Sequence, residues 1–118
     1  MRLLLDTHAF LWWLEGNLRL SGPAQAAIGE EANAVHVSAA SVWEITTKHR
    51  LGKLPGAGLL VQDVTAEIEA QGFTALPITT RHAERAGRLP GPHRDPFDRM
   101  LIAQALAEDL VLVSLEIP

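Results

Sequence analysis

Short apolar runs alternate along the chain with longer segments in which apolar and polar positions follow a helical spacing. Runs of this length bounded by turn residues predict strands, and the longer segments predict helices. The predicted strands cover residues 3–5, 34–37, 73–78 and 110–113. The predicted helices cover residues 7–14, 23–31, 38–51, 59–70 and 80–88, and a last helix begins at residue 96. This alternation predicts a single α/β domain, residues 1–118, on a mostly parallel sheet with right-handed crossovers.

Details of the pattern place several of these elements. Pro77 cannot donate a hydrogen bond within a sheet, so the third strand is expected near a sheet edge. The fully apolar run at 110–113 suits a buried parallel strand. The helix at 80–88 carries His82 and Glu84, which are expected on the surface.

The start of the last helix combines a cap, a proline and an acid. Asp95 precedes Pro96, which disfavours helical dihedrals at Asp95, and Pro96 suits the first helical position because its missing N–H would have no partner there. Asp95 is therefore predicted as the N-cap. Asp98 then falls in the first turn, where a carboxylate meets free backbone N–H groups and the positive end of the helix dipole. Residues 97–106 are almost all apolar, so this helix is expected to be covered on most sides.

Composition narrows the classes of function. The 118 residues include no cysteine, which excludes disulfides, thiolate metal sites and a cysteine nucleophile, and fits a reducing compartment. No apolar run reaches the roughly 18 residues of a membrane-spanning helix, and Asp6 and His8 interrupt the apolar start of the chain, which is not a signal peptide. A cytoplasmic protein is expected. The net charge of −4 argues against a simple polyanion-binding surface, unless cations neutralise some carboxylates.

Acids occur where predicted strands give way to helices. Asp6 ends the first strand, Glu44 lies in the first turns of the helix after the second, Asp98 opens the last helix, and Glu116 follows the last strand. Since parallel strands present their carboxyl ends at one edge, these acids are predicted to share one cleft. Clustered carboxylates suit a hard cation such as Mg²⁺ or Mn²⁺. Such ions activate water and stabilise oxyanions, so metal-dependent phosphodiester hydrolysis is the leading hypothesis.

Each acid also has an ordinary interpretation. Asp6 and Asp98 are good helix-start residues, and Glu44 can be a solvated glutamate paired with Lys48 one turn later. Other chemistries have less support, because His8 stands where an aspartyl phosphotransfer enzyme would need a second aspartate, and the histidines form no HExxH zinc motif. No glycine-rich phosphate loop, GxSxG elbow or dinucleotide fingerprint occurs.

Four stretches taken together resemble the PIN-domain ribonucleases, and particularly the VapC-type toxins of bacterial and archaeal toxin–antitoxin pairs. The stretches are residues 4–8 (LLDTH), 37–45 (VSAASVWEI), 76–79 (LPIT) and 93–105 (HRDPFDRMLIAQA). The resemblance covers nearly the whole chain. It implies a PIN-like three-layer α/β/α sandwich, and a catalytic site in which Asp6, Glu44 and Asp98 bind Mg²⁺ or Mn²⁺ with Thr7 as a supporting hydroxyl.

Two features depart from the family pattern. A fourth acid, usually aspartate, commonly follows the last core strand, and that place here holds Glu116, which is one methylene longer. Glu116 is therefore an adjustable or second-metal ligand, a tail residue, or without a role. The chain also ends two residues later, where relatives usually continue, so the domain is expected to be short at its C-terminus.

The resulting hypothesis is a Mg²⁺- or Mn²⁺-dependent endoribonuclease that acts as the toxin of a toxin–antitoxin pair. Arg94 and Arg99 are predicted phosphate contacts, with surface ion pairing as the alternative. The resemblance further implies a homodimer and a cognate antitoxin docked across the apolar surface near the site. One of Trp12 and Trp13 serves that interface or packs under a neighbouring helix. The rivals are a catalytically weak PIN-like module that binds RNA or a partner, and a DNA-directed flap-type nuclease.

Overall fold

Parallel strands form the centre of the fold. The computed structural model describes residues 1–92 and 95–114. The strands within them are β1 (Arg2–Leu5), β2 (Ala34–Ser38), β3 (Thr74–Leu76) and β4 (Val111–Val113). They pair in parallel in the order β3-β2-β1-β4. Leu3 of β1 aligns with Val35 of β2 and with Val111 of β4, so the predicted parallel sheet is confirmed.

Helices flank this sheet and follow its strands along the chain. They are α1 (Thr7–Glu15), α2 (Gly22–Gly29), α3 (Ala39–Arg50), α4 (Val64–Ala70), α5 (Thr80–Arg88) and α6 (Pro96–Glu108). Two short 3₁₀ turns, Pro55–Ala57 and Leu60–Gln62, connect α3 to α4. The architecture is the α/β/α sandwich that the sequence predicts.

Consecutive leucines of β1 face opposite layers of the sandwich, as the two-residue period of a strand requires. Leu3 and Leu5 pack with Phe10 of α1 and with apolar residues of α2, α3 and α4. Leu4 packs with Leu101 and Ala105 of α6 in a second, smaller cluster. The edge of the sheet between these two layers carries the carboxyl ends of the strands.

Polar side chains begin the helices that leave this edge. The Asp6 carboxylate accepts a hydrogen bond from the Ala9 N–H at 2.7 Å and begins α1 directly after β1. The Ser38 hydroxyl accepts from the Ala40 N–H at 2.9 Å and begins α3 directly after β2. Asp6 directly follows β1, and Ser38 is the last residue of β2. The turn from strand to helix is therefore tight at both places and fixes the first residues of each helix.

The helix predicted at 59–70 begins later than expected. Residues Leu60–Gln62 form a 3₁₀ turn, and α4 starts only after Asp63. The Asp63 carboxylate accepts from the Ala66 N–H at 2.9 Å. Its side chain satisfies an N–H group that a continuing helix would have bonded internally, which explains why the helix begins here.

The prediction that His82 lies on the surface is wrong, whereas Glu84 is exposed as expected. His82 is only 2% exposed. Its Nδ1 accepts from the Thr79 N–H at 3.1 Å, and its Nε2 lies 3.0 Å from Glu108 Oε2. The second partner comes from α6 and is 26 positions away. His82 is thus buried on a mostly polar helix because it contacts Glu108, which is distant in the sequence.

The last two elements are more open than their composition suggests. Val111 of β4 is 53% exposed, because within the described residues β4 lies at an edge of the sheet, and the prediction of a buried strand is wrong. Helix α6 buries Leu101 and residues 103–105, but Leu106 is exposed. The helix is covered along one broad side only. The predicted edge position of the third strand, in contrast, is confirmed for β3.

Both adjacent tryptophans of α1 are partly buried against the core between α1 and α4. The Trp13 ring lies 6.2 Å from that of Phe73, and its Nε1 donates to Gln71 at 2.9 Å. Arg19 stacks over the Trp12 ring at 5.8 Å. Packing under a neighbouring segment therefore accounts for Trp13.

None of the helices in the described part of the chain is long and apolar enough to cross a bilayer. Of the predicted site residues, Arg94 and Glu116 lie outside the described residues.

Candidate active site

The carboxyl edge of the sheet brings the start of α1 against the middle of α3. The backbone N–H of Asp6 donates to the Val113 carbonyl at 3.0 Å, which ties the end of β1 to the end of β4. Thr7, the first residue of α1, is buried and points at α3. Its Oγ1 lies 2.6 Å from Glu44 Oε1 and 3.0 Å from Ser41 Oγ.

The Thr7 hydroxyl has one proton to donate. An ionised carboxylate can only accept, so the short contact assigns the Thr7 proton to Glu44. The Ser41 hydroxyl, at 3.0 Å, is then the second polar neighbour of the Thr7 oxygen. Threonine next to Asp6 therefore holds the carboxylate of Glu44 in place, which is a supporting role for its hydroxyl.

Glu44 is a buried acid and not the solvated glutamate of the ordinary interpretation. It is 4% exposed, although it lies on the polar side of α3. Its second oxygen, Oε2, accepts from Lys48 Nζ at 2.5 Å. The i, i+4 pairing with Lys48 is thus present, but it takes place at a covered position where a carboxylate needs a partner.

Lys48 is a cation at this acidic edge. Its pKa lies above the ordinary value because its ammonium donates to Glu44, while partial burial acts in the opposite direction. The charges of Glu44, Asp95 and Asp98 raise the pKa further. Asp95 and Asp98 at the start of α6 therefore stand close enough to α3 to act on Lys48. Acids from two separate helices converge on one ammonium.

Asp95 and Asp98, the two aspartates at the start of α6, have different positions and contacts. Asp95 Oδ1 accepts from the N–H groups of Phe97 at 2.8 Å and Asp98 at 3.2 Å, so the predicted N-cap is confirmed. Asp98 lies in the first turn, at the positive end of the helix dipole, where a carboxylate is stabilised. Asp98 is thus not needed as the cap, and the charges of both aspartates act on Lys48.

The Arg99 guanidinium donates hydrogen bonds to backbone carbonyls of the same chain. Its Nε and Nη2 donate to the Ala86 carbonyl at 3.1 and 2.8 Å, and Nη2 also donates to the Leu89 carbonyl at 2.6 Å. These carbonyls lie at the end of α5 and just after it, where helical carbonyls lack partners within the helix. This contact differs from the phosphate contact that the sequence suggested, since it ties α6 to α5.

The side chains at this edge have the donor chemistry of a magnesium or manganese site. Carboxylate oxygens are the ligands that these ions prefer, and Glu44 already holds a cation, the ammonium of Lys48. Within residues 1–92 and 95–114, however, no three His, Cys, Asp or Glu side chains lie close enough together to form a ligand set. The donor types fit a divalent ion, and such an ion has to compete with Lys48 for Glu44.

Sequence reasoning placed Asp6, Glu44 and Asp98 at one edge but missed how they are held. The sequence predicts Lys48 only as the partner of a solvated Glu44 one turn earlier, and it does not predict the contact of Ser41 with Thr7. The signal that could have found both is the spacing Ser41, Glu44 and Lys48 on one side of α3, facing a threonine that directly follows Asp6. Their burial depends on the packing of α1 against α3.

The sequence profile of the PIN domain family matches residues 3–116. The match covers nearly the whole chain, and the chain belongs to the PIN domain family. The fold and the acids at the carboxyl edge of its parallel sheet agree with this membership, which indicates a nuclease fold. Comparison with curated proteins and with solved structures gives no match.

Proposed function

We propose that the protein is an endoribonuclease that hydrolyses RNA phosphodiester bonds with Mg²⁺ or Mn²⁺. The observation that carries the proposal is the buried carboxylate of Glu44, fixed by Thr7 and paired with Lys48 at an edge where the charge of Asp98 also acts. A structural helix does not need a buried acid there. An acid held ready at the carboxyl edge of a parallel sheet suits a binding or catalytic use.

Asp6, Glu44 and Asp98 would hold the ion in this proposal, and Glu116 is a further candidate from the sequence. When bound, the ion would supply Lewis acidity for water activation and for the charge on the phosphodiester oxygens. The chain contributes rigid placement, because Asp6 follows β1, Asp98 lies in the first turn of α6, and Glu44 is buried on α3. Thr7 keeps Glu44 oriented by donating its proton to Oε1.

Lys48 supplies positive charge at this edge. If a divalent ion took its place on Glu44, Lys48 would be available to balance the charge of a phosphate. Arg94 is the other basic residue proposed for phosphate contact. In the proposed hydrolysis water attacks the phosphorus directly and displaces the leaving oxygen, so no covalent intermediate with the protein is needed.

We further propose the biological setting that the resemblance implies. The protein acts in the cytoplasm as a VapC-type toxin, as a homodimer, and is inhibited by a cognate antitoxin that covers the apolar surface near the site. PIN domain membership supports this setting, and the toxin role, the antitoxin and the dimer go beyond it.

A cleavage assay tests the proposed reaction. Purified protein is incubated with end-labelled RNA and with single-stranded DNA of the same sequence, in Mg²⁺, in Mn²⁺ or in chelator. We expect RNA cleavage only with metal. Asp98→Asn should lower kcat by roughly 100-fold or more, since a few kcal/mol of transition-state stabilisation correspond to that factor.

Asp95→Asn is the matched control, because it removes the same charge three residues earlier and leaves a side chain that caps α6 equally well. Its cleavage rate should stay close to that of the parent protein. Equal cleavage by Asp98→Asn and the parent would refute the site. RNA binding without cleavage in any metal would favour the rival binding module, and preferential cleavage of DNA would favour the flap-type nuclease.

A further inference from the structure

Two aromatic residues directly precede two of the proposed metal ligands. Trp43 precedes Glu44 on α3, and Phe97 precedes Asp98 on α6. Their rings meet edge to face, with centroids 5.0 Å apart and planes at 75°. The contact joins the two helices and limits the orientations that the Trp43 ring can adopt.

Trp43 is 61% exposed, although it is among the largest apolar side chains of the protein. A tryptophan held by an aromatic neighbour but left open to solvent offers a flat apolar face at low entropic cost. A cavity of about 240 Å³ lies beside it. Residues of α3, α5, α6 and the segment after β3 line this cavity; most are apolar, among them Ala40, Ile78, Pro96 and Met100, and Arg99 also lines it.

The described residues that line this cavity include no acid. A neutral planar group can therefore enter it without meeting the carboxylates of the edge. The cavity is smaller than the ~300 Å³ at which pockets for drug-sized ligands begin. It suits one flat ring system against Trp43 and not a whole ligand of that size.

The net charge of the chain gives a separate reason to expect such a contact. At −4 the protein gains little from general attraction to a phosphate backbone, and the acids of the site repel phosphate before metal binds. Part of the affinity for RNA then has to come from contacts that do not depend on charge, beside the phosphate contacts proposed for Lys48 and Arg94. Base stacking on aromatic side chains is the main contact of that kind.

We propose that Trp43, supported by Phe97, is a stacking platform for an unpaired nucleobase next to the scissile phosphate. Only an unpaired base presents the free face that such a contact needs. This inference rests on the proposed function, since it places the base beside the metal-binding acids. The platform determines which RNA the site accepts.

The test measures RNA binding in chelator, where cleavage cannot occur. Fluorescence anisotropy gives the Kd of a labelled single-stranded RNA for the parent protein, Trp43→Ala and Trp43→Phe. Leu18→Ala serves as the control, since it removes another exposed apolar side chain far along the chain from α3. The same strand annealed to its complement, and a series of strands with one base removed at each position, complete the set of probes.

Trp43→Ala should weaken single-strand binding by roughly 5- to 150-fold, the range seen when a stacking residue is removed. Trp43→Phe should keep most of the affinity, and Leu18→Ala should match the parent. Binding to the duplex should not change. One base-free position should weaken binding by the parent to a similar extent and have no further effect in Trp43→Ala.

Several results would overturn the platform. These are equal single-strand affinity of parent and Trp43→Ala, equal losses on single strand and duplex, or a changed oligomeric state of Trp43→Ala with unchanged RNA binding, which would make Trp43 a protein interface. Should Trp43→Ala fail to fold, a parent protein indifferent to every base-free position would overturn it as well. The metal-dependent cleavage assay decides the proposed reaction independently of all these outcomes.

Discussion

Asp6 serves the fold and the proposed chemistry with one side chain. Its Oδ1 caps α1 through the Ala9 N–H, and its backbone N–H ties β1 to β4. Thr7, the next residue, holds Glu44. Any substitution at Asp6 therefore mixes an effect on stability with an effect on the site, unless the replacement can still cap the helix.

Asparagine and alanine separate these two roles of Asp6. Asparagine caps helices about as well as aspartate, so Asp6→Asn should keep the unfolding free energy of the parent protein and lose metal-dependent RNA cleavage. Asp6→Ala should lose cleavage and also about 0.5–2 kcal/mol of stability. Urea unfolding and the cleavage assay measure the two quantities.

Asp63→Ala provides the comparison for the alanine variant. It removes the aspartate cap of α4, which lies away from the acids, and should cost similar stability without a loss of cleavage. A full rate of cleavage by Asp6→Asn would show that Asp6 is only a cap.

Gln104 links the elements that carry the acids. It is fully buried on α6, and its Oε1 accepts from the Ser38 hydroxyl at 2.5 Å. Its Nε2 donates to the Pro77 carbonyl at 3.2 Å and lies 3.3 Å from His82 Nδ1. Since Ser38 begins α3, a single amide connects the helix of Glu44, the helix of Asp98 and α5.

The same contacts determine the tautomer of His82. Its Nδ1 faces two donors, the Thr79 N–H and the Gln104 amide, so Nδ1 accepts and the ring proton sits on Nε2. Nε2–H then donates to Glu108. The network is complete, because every buried side-chain nitrogen and oxygen in the described part of the chain has a partner.

Glutamine and leucine are similar in size, but Gln104→Leu should nevertheless destabilise the protein strongly. It leaves the proton of the buried Ser38 hydroxyl without an acceptor, and a buried orphan of this kind costs about 1–3 kcal/mol, whereas water can reach the exposed Pro77. We expect a loss of about 1–3 kcal/mol in urea unfolding. Gln62→Leu, at an exposed glutamine, should change stability by less than about 0.5 kcal/mol. A small effect of Gln104→Leu would mean that water replaces the amide.

Some features of the folded molecule could be predicted from residues that are neighbours in the sequence, and others could not. The cap at Asp95 could be predicted because aspartate, proline and the apolar run that follows are neighbours. A shared cleft for Asp6, Glu44 and Asp98 stays a prediction, but the parallel direction of the strands on which it depends could be predicted from their alternation with helices. The burial of His82 could not, since Gln104 and Glu108 lie more than twenty positions away. The edge position of β4 could not either, because strand order depends on which strands pair.

The balance of charge at the site is likewise a property of the assembled molecule. The sequence shows Glu44 and Lys48 as an ordinary helical pair, the kind that contributes little on a surface. In the fold, α1 covers Glu44, and α6 brings Asp95 and Asp98 toward Lys48. Lys48 therefore offsets acids from two helices, and a divalent ion at the proposed site would have to displace it from Glu44.

Substitution of Lys48 should expose this competition. In chelator, Lys48→Met should be less stable than the parent, because Glu44 stays buried without its cation. Mn²⁺ should then bind Lys48→Met more tightly and raise its Tm further than that of the parent, since a ligand at 100-fold its Kd adds about 2.7 kcal/mol. Titration calorimetry and thermal unfolding measure both effects, and Lys53→Met, which removes an exposed lysine after α3, should behave as the parent. A smaller Mn²⁺ response in Lys48→Met than in the parent would mean that Lys48 assists the metal site instead of competing with it.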